Sequence, residues 1–111
     1  MIMGIKRFGQ IGRLKREKIE EYMELHASTW EGVIKTIKEC NLKNYSIFLH
    51  DDMVFAYFEY TGSDFDADMA KMAEDEVTQN WWTHTKPCFE KYAMSQIGEF
   101  YTNMKQIFYS E

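Results

Sequence analysis

No stretch of this sequence reaches the roughly 18 consecutive apolar residues that a membrane-spanning helix needs, so no segment is expected to cross a bilayer. Positive charge is also short: 13 Lys and Arg stand against 18 Asp and Glu, a net charge of -5. That is the wrong sign for a protein that draws affinity from phosphate counterion release. The basic residues that do cluster, Lys6, Arg7, Arg13, Lys15, Arg16 and Lys18, are interleaved with or followed by Glu17, Glu20, Glu21 and Glu24. They read as a solvated helix face rather than a nucleic-acid site. Cysteine is scarce, with Cys40 and Cys88 far apart and only His84 near the second, which makes no metal set. The opening Met1-Ile2-Met3-Gly4-Ile5-Lys6-Arg7 lacks the apolar core of a signal peptide, so free thiols in a reducing cytoplasm are expected. No repeat of fixed period and no low-complexity segment is present.

Large rings are what the chain has in quantity: eight Phe, seven Tyr and three Trp in 111 residues. This length suits one domain spanning residues 1–111 with one core. A small monomer has too much surface for its volume to hide so many rings, so self-association is the expected outlet.

The hydrophobic period changes several times along the chain. Residues Lys6 to Leu14, with Phe8, Ile11 and Leu14 among Gly9 and Gly12, read as a strand whose glycines mark close approach of another group. From Lys15 to about Cys40, Ile19, Met23, His26, Trp30, Val33 or Ile34, and Ile37 recur at helical steps. Gly32 inside that run predicts a kink or two helical pieces. Asn41 to Asn44 form the exit, since Asn tolerates the left-handed conformation that ends helices. Runs 45–50 and 53–60, joined by Asp51-Asp52, read as a hairpin. Ser63 or Asp64 should cap a helix through Phe65, Met69, Met72 and Ala73. The acidic Glu74-Asp75-Glu76 interrupts it, and a second segment carries Trp81-Trp82 to about Lys86, limited by Pro87. Residues Cys88 to Phe100 read as a loop, and Met104 to Tyr109 as a final strand.

The resulting order β, α, β, β, α, β matches the α+β, ferredoxin-like split βαβ arrangement, an antiparallel sheet with both helices on one face. Apolar residues occupy odd and even positions of the hairpin alike. Ile47, Leu49, Phe55 and Tyr57 are expected on one side and Phe48, Val54, Ala56 and Phe58 on the other. The helices cover one row only, and two sheets packed across a two-fold would bury the other, predicting a homodimer.

Chemistry-bearing residues gather in few places. Tyr22, His26 and Trp30 lie four apart, so one helix would stack them in a stripe. Such a stripe can exchange a proton near neutral pH beside rings that bind apolar ligand faces, although a helix face with one His also reads as core packing. In Trp81-Trp82 the two indoles point about 100° apart, so one can enter the core or a pocket while the other lies along its rim. Flat rings of this kind suit sugar C–H faces, and equally suit packing of the helix onto the sheet. His50, at the turn, and His84, after the paired Trp, read as solvated; nothing in the sequence marks Cys88 as a depressed-pKa nucleophile.

Taken together, Tyr22-x-x-x-His26-x-x-x-Trp30, Asn44-Tyr45-Ser46-Ile47-Phe48-Leu49, Trp81-Trp82 and Gln106-Ile107-Phe108-Tyr109 resemble the L-rhamnose mutarotase family over nearly the whole chain. The resemblance implies a dimeric α/β barrel built from ferredoxin-like halves. It implies interconversion of the α and β anomers of L-rhamnose without a metal or organic cofactor. It further implies that His26 is the acid–base group, that Tyr22 and Tyr45 contact the sugar, and that Trp81 and Trp82 form its pocket. The chain departs from the bacterial rhamnose-pathway pattern at Ala27-Ser28-Thr29-Trp30-Glu31-Gly32, where Asn-Pro precedes and Pro follows the Trp in that pattern, and again from Thr85 to Tyr101. These departures keep the proton-transfer residue and alter the rim that pairs sugar hydroxyls. The competing readings are a non-catalytic ferredoxin-like dimer that binds a small ligand and, by fold analogy alone, a cofactor-independent oxygenase.

Overall fold

Caps, breaks and turns written into the sequence set most element boundaries in the computed structural model, which describes residues 4–90 and 100–111. Strand β1 spans Lys6–Leu14, and a single 3-10 turn leads into α1, Ile19–Ala27. The helical run then stops at Ser28–Trp30 and restarts as α2, Glu31–Glu39. The two expected pieces are present, but the break precedes Gly32 rather than falling on it. Thr29 Oγ1 donates to the His26 carbonyl at 3.2 Å, a local bond that competes with the helical ladder. Trp30 is extended, with φ -61° and ψ 136°. Gly32 instead permits close packing, since a Cβ there would lie 2.9 Å from Val77 Cγ1. On α1 the buried face is Tyr22 with half-buried Ile19, Leu25 and His26, whereas Met23 is exposed; on α2 Val33 is the core residue and Ile34 is exposed.

The hairpin strands are β2, Leu42–His50, and β3, Met53–Tyr60. Asn41 ends α2 with φ 66°, as expected, but β2 begins three residues earlier than the Tyr45 run suggested. Helices α3, Phe65–Glu74, and α4, Glu76–Thr85, follow. Asp64 caps α3 by accepting from Ala67 N at 3.1 Å. Asp75 both ends α3 and caps α4, accepting from Thr78 N at 2.9 Å, so the acidic interruption is a cap. A 3-10 turn over Lys86–Cys88 leads to β4, Phe89–Glu90; β5 is Thr102–Met104.

The sheet order is β2-β3-β1, with β4 and β5 both on the outer edge of β1, all antiparallel. This is the ferredoxin-like order with its fourth strand divided between two short segments. Of the 88–100 stretch read as a loop, Phe89–Glu90 pairs with Leu14 and Arg13, and residues 91–99 lie outside the described residues. The final strand is also displaced: pairing covers 102–104, and residues 105–111 have no regular structure. Strand-prone side chains need a neighbouring strand. Tyr109 instead packs on Arg7, the guanidinium 3.9 Å from the ring centroid, while Ile107 and Phe108 remain exposed.

Register corrects the expected sheet faces. The two-residue turn pairs His50 with Met53, so Phe48 lies opposite Phe55, Ile47 opposite Ala56 and Leu49 opposite Val54. Directly paired residues share a face. Ile47, Leu49, Val54, Ala56 and Phe58 therefore face the helices, and Phe48, Phe55 and Tyr57 face away. Simple odd–even grouping across the hairpin fails because the turn inverts parity between the strands. The helix-facing core holds Leu14, Tyr22, Val54, Cys88 and Phe89 at one end and Leu42, Phe58 and Tyr60 at the other. At the second end Tyr60 donates to Asp68, which also accepts from Asn41 Nδ2 at 3.0 Å.

Candidate functional site

Between the core ends, helices and sheet stand apart and leave a cleft. Two adjoining cavities of about 890 Å³ and about 940 Å³ share His26, Tyr45, Trp81 and Trp82 as walls. All five residues singled out in the sequence, Tyr22, His26, Tyr45, Trp81 and Trp82, line the larger one.

His26 sits one helical turn after Tyr22, their rings 4.2 Å apart. Its Nδ1 lies 2.8 Å from the Tyr22 carbonyl oxygen. A carbonyl only accepts, so Nδ1 carries the proton and Nε2 of the neutral ring holds the lone pair. Trp81 packs edge-on at 5.3 Å. Burial lowers the imidazole pKa, the bond to the Tyr22 carbonyl opposing in part. The result is a half-buried imidazole at the cleft wall whose burial favours the neutral form, neither sealed in the core nor fully solvated.

Trp30 does not complete the expected stripe, because the helix ends before it. From the extended linker it packs on Trp81 at 5.2 Å and on His84 at 5.5 Å, backing the cleft wall without lining either cavity. The paired indoles divide as adjacent helical residues must. Trp81 is buried behind His26, and Trp82 is half-buried with Lys86 Nζ 4.7 Å from its ring centroid.

Tyr45 arrives by a backbone irregularity. Pairing of β2 with β3 runs Lys43↔Glu59 and then Ser46↔Tyr57, so Asn44 and Tyr45 together oppose Phe58. Such a bulge shifts side-chain alternation by one residue. Leu42 faces the helices upstream of it and Tyr45 and Ile47 face them downstream; without it Tyr45 would point away. Asn44 takes φ 52° at that point and donates to Glu59 Oε1 at 3.0 Å. Tyr45 then stacks on Phe58 at 5.2 Å; the residue keeps 38% of its surface exposed, and partial desolvation of its hydroxyl within the cleft raises the pKa.

Tyr101 escaped the sequence reading. Its hydroxyl is 2.9 Å from that of Tyr22, and its ring packs edge-on against Phe89 at 5.1 Å. Burial raises the pKa of both phenols, so both keep their protons. Gln10 and Asn103, paired across β1 and β5, also line the cleft. The alternation of β1 offered one signal, since Gln10 falls between Phe8 and Gly12 on the apolar side. Tyr101 offered none, lying in a stretch without periodicity. Gly12 leaves room for this corner: a Cβ there would lie 3.0 Å from both the Phe89 ring and the Phe100 carbonyl.

Among the described residues, no three His, Cys, Asp or Glu side chains gather into a set that could hold a metal ion, and no helix is long and apolar enough to cross a membrane. Cys40 and Cys88 are buried free thiols. Cys88 lies 3.6 Å from Glu21 Oε2, and burial and that carboxylate raise its pKa, the reverse of an activated nucleophile. His50 and His84 are exposed, as expected.

A family model described as L-rhamnose mutarotase matches residues 7–110. The chain is 30% identical over 107 residues to the L-rhamnose mutarotase of Bacillus subtilis, covering 95% of this chain and 98% of that one. It is 32% identical over 92 residues to the L-rhamnose mutarotase of Listeria monocytogenes, covering 81% of this chain and 84% of that one. The crystal structure of an L-rhamnose mutarotase from Formosa agariphila superposes with a TM-score of 0.73 over 96% of this chain and 99% of that chain, at 19% identity. That last likeness is one of fold.

Proposed function

The chain belongs to the L-rhamnose mutarotase family, and from that premise we propose that it is a carbohydrate isomerase interconverting the α and β pyranose anomers of L-rhamnose. His26 is the proton-transfer group in this reading. The observation that carries it is the imidazole at the cleft wall, its Nδ1 committed to the Tyr22 carbonyl at 2.8 Å and its Nε2 left as the base.

The reaction asks for two proton transfers. His26 Nε2 takes the anomeric hydroxyl proton, the bond from C1 to the ring oxygen breaks, and the ring oxygen receives a proton from a hydroxyl donor in the cleft. The open-chain aldehyde rotates about C1–C2, and closure on its other face reverses both transfers. Electrons and protons balance within the sugar and the acid–base groups, with no oxidant required. A positioned base of this kind contributes about 10² to 10⁴-fold. Tyr22 and Tyr45 supply hydroxyls to the sugar, and Trp81 and Trp82 supply flat apolar area against its C–H face. In the same reading a second copy of the chain covers the sheet face opposite the helices, giving a homodimer.

The test is saturation transfer between the two anomeric proton resonances of L-rhamnose, L-fucose and a short panel of other sugars, with and without protein. Exchange faster than the buffer rate for L-rhamnose is the expected result. Buffer-rate exchange across the panel from folded protein would instead favour a binding module.

A further inference from the structure

One wall of the cleft is apolar. Phe8, Phe58, Phe65, Met69 and Met72 form its apolar wall, and none of these side chains offers a strong hydrogen bond. A polar strip, distinct from the His26 wall, lies at the β1–β5 edge, where two side-chain pairs meet. Gln10 Nε2 donates to Asn103 Oδ1 at 2.8 Å. One bond between two carboxamides leaves the pair a carbonyl lone pair and N–H donors, whichever way each amide is turned. The hydroxyls of Tyr22 and Tyr101 are 2.9 Å apart; two phenols hold two protons and the bond between them uses one, so the other is left to donate. Phe89 fixes the Tyr101 ring edge-on at 5.1 Å, so this donor is presented by a ring that cannot swing freely.

We propose that Tyr101 and Asn103, the latter held by Gln10 on β1, read the hydroxyl pattern of the bound pyranose, making the edge at residues 101–103 the specificity element of the cleft. This rests on the mutarotase reading and goes beyond it, because none of the three belongs to the motifs that carry the family resemblance. A site that hydrogen-bonds a particular hydroxyl rejects analogues that leave its polar groups unpaired more strongly than an apolar wall rejects a change of size. Tyr101 and Asn103 touch substrate in this account and do not transfer the proton. Their removal acts on affinity and sugar preference rather than on turnover.

The experiment compares wild type, Tyr101→Phe and Asn103→Ala by anomeric saturation transfer on L-rhamnose, L-mannose and L-fucose, with KM and kcat separated. Each variant should raise KM for L-rhamnose about two- to tenfold, the loss of one neutral hydrogen bond. In each, kcat should stay within about twofold, and the ranking or spread of kcat/KM among the three sugars should change. Tyr101→Phe keeps the ring against Phe89, and Asn103 is an exposed position, so melting temperatures near wild type separate these effects from unfolding. Unchanged KM and unchanged sugar preference in both variants, with wild type active, overturn the proposal and leave the mutarotase reading standing. A wild type inert on every sugar overturns both.

Discussion

On the helix side of the sheet Val54, Ala56, Phe58 and Tyr60 are all at most 5% exposed, whereas their alternating neighbours Met53, Phe55, Tyr57 and Glu59 on the other side stay half-exposed. Residue type does not separate the rows, since both contain aromatics and both flank the same backbone. Cover separates them. Four helices close over the first row and leave a cleft with one imidazole in its wall, while the second row, with Phe48 64% exposed beside Phe55, is apolar surface left open. A β-strand distributes side chains to two faces without choosing between them. The connections before and after each strand decide which face becomes a site.

That contrast can be broken from either side. The largest effect is expected from Phe58→Ala, which empties a position between Phe8 and Tyr45 and should cost about 3–5 kcal/mol in urea unfolding. Phe55→Ala should cost less than half as much in the isolated chain. On the uncovered face, Phe48→Lys combined with Phe55→Lys should weaken self-association at least about a hundredfold, since it places two adjacent charges in an apolar contact; light scattering should report the mass of one chain instead of two, with anomer exchange retained per folded chain. The bulge sharpens the comparison. Asn44→Val forces a β-branched residue to φ 52° and should cost about 1–3 kcal/mol with weakened sugar binding, while Asn44→Gly stays near wild type. A stable Asn44→Val protein with full affinity would mean that the bulge does not aim Tyr45.

The smallest effect is a pH dependence. Burial holds the folded His26 pKa below the ordinary 6.5, so the unfolded chain binds a proton first as pH falls. Stability linked to this group is complete above 6.5 and declines as pH drops toward the folded value. Melting temperature measured from pH 8 down to pH 5 should therefore fall less steeply in His26→Gln than in wild type, and the acid limb of the exchange rate should lie below 6.5 if neutral imidazole is the base.

The sequence carried the fold wherever a local signal was sufficient. Ser63-Asp64 announced a helix start, Asn41 to Asn44 a helix exit and Asp51-Asp52 the hairpin, while Glu74-Asp75-Glu76 showed only as an interruption until Asp75 proved to be a cap. It carried the site wherever a motif could be read within one segment, so Tyr22, His26 and the paired indoles were legible. What it hid were consequences of pairing. The faces of the hairpin follow from a turn of two residues, and the orientation of Tyr45 from one extra residue opposite Phe58; both shift parity without changing composition. Trp30 left the predicted stripe where Thr29 bonds backward to the His26 carbonyl, and it packs behind Trp81 instead of lining the cleft. Asn103 belongs to a strand three residues long, too short to show any period and placed by its pairing with β1, and Tyr101 lies in the bend just before it.

The most direct test of the account is anomeric exchange of L-rhamnose by wild type and by His26→Ala, measured by saturation transfer at pH 7 on samples matched for melting temperature and sugar affinity. The account predicts that His26→Ala still binds the sugar and loses about 10² to 10⁴-fold of the exchange rate above buffer. Exchange at the wild-type rate in His26→Ala would contradict it and move the proton transfer to another group in the cleft.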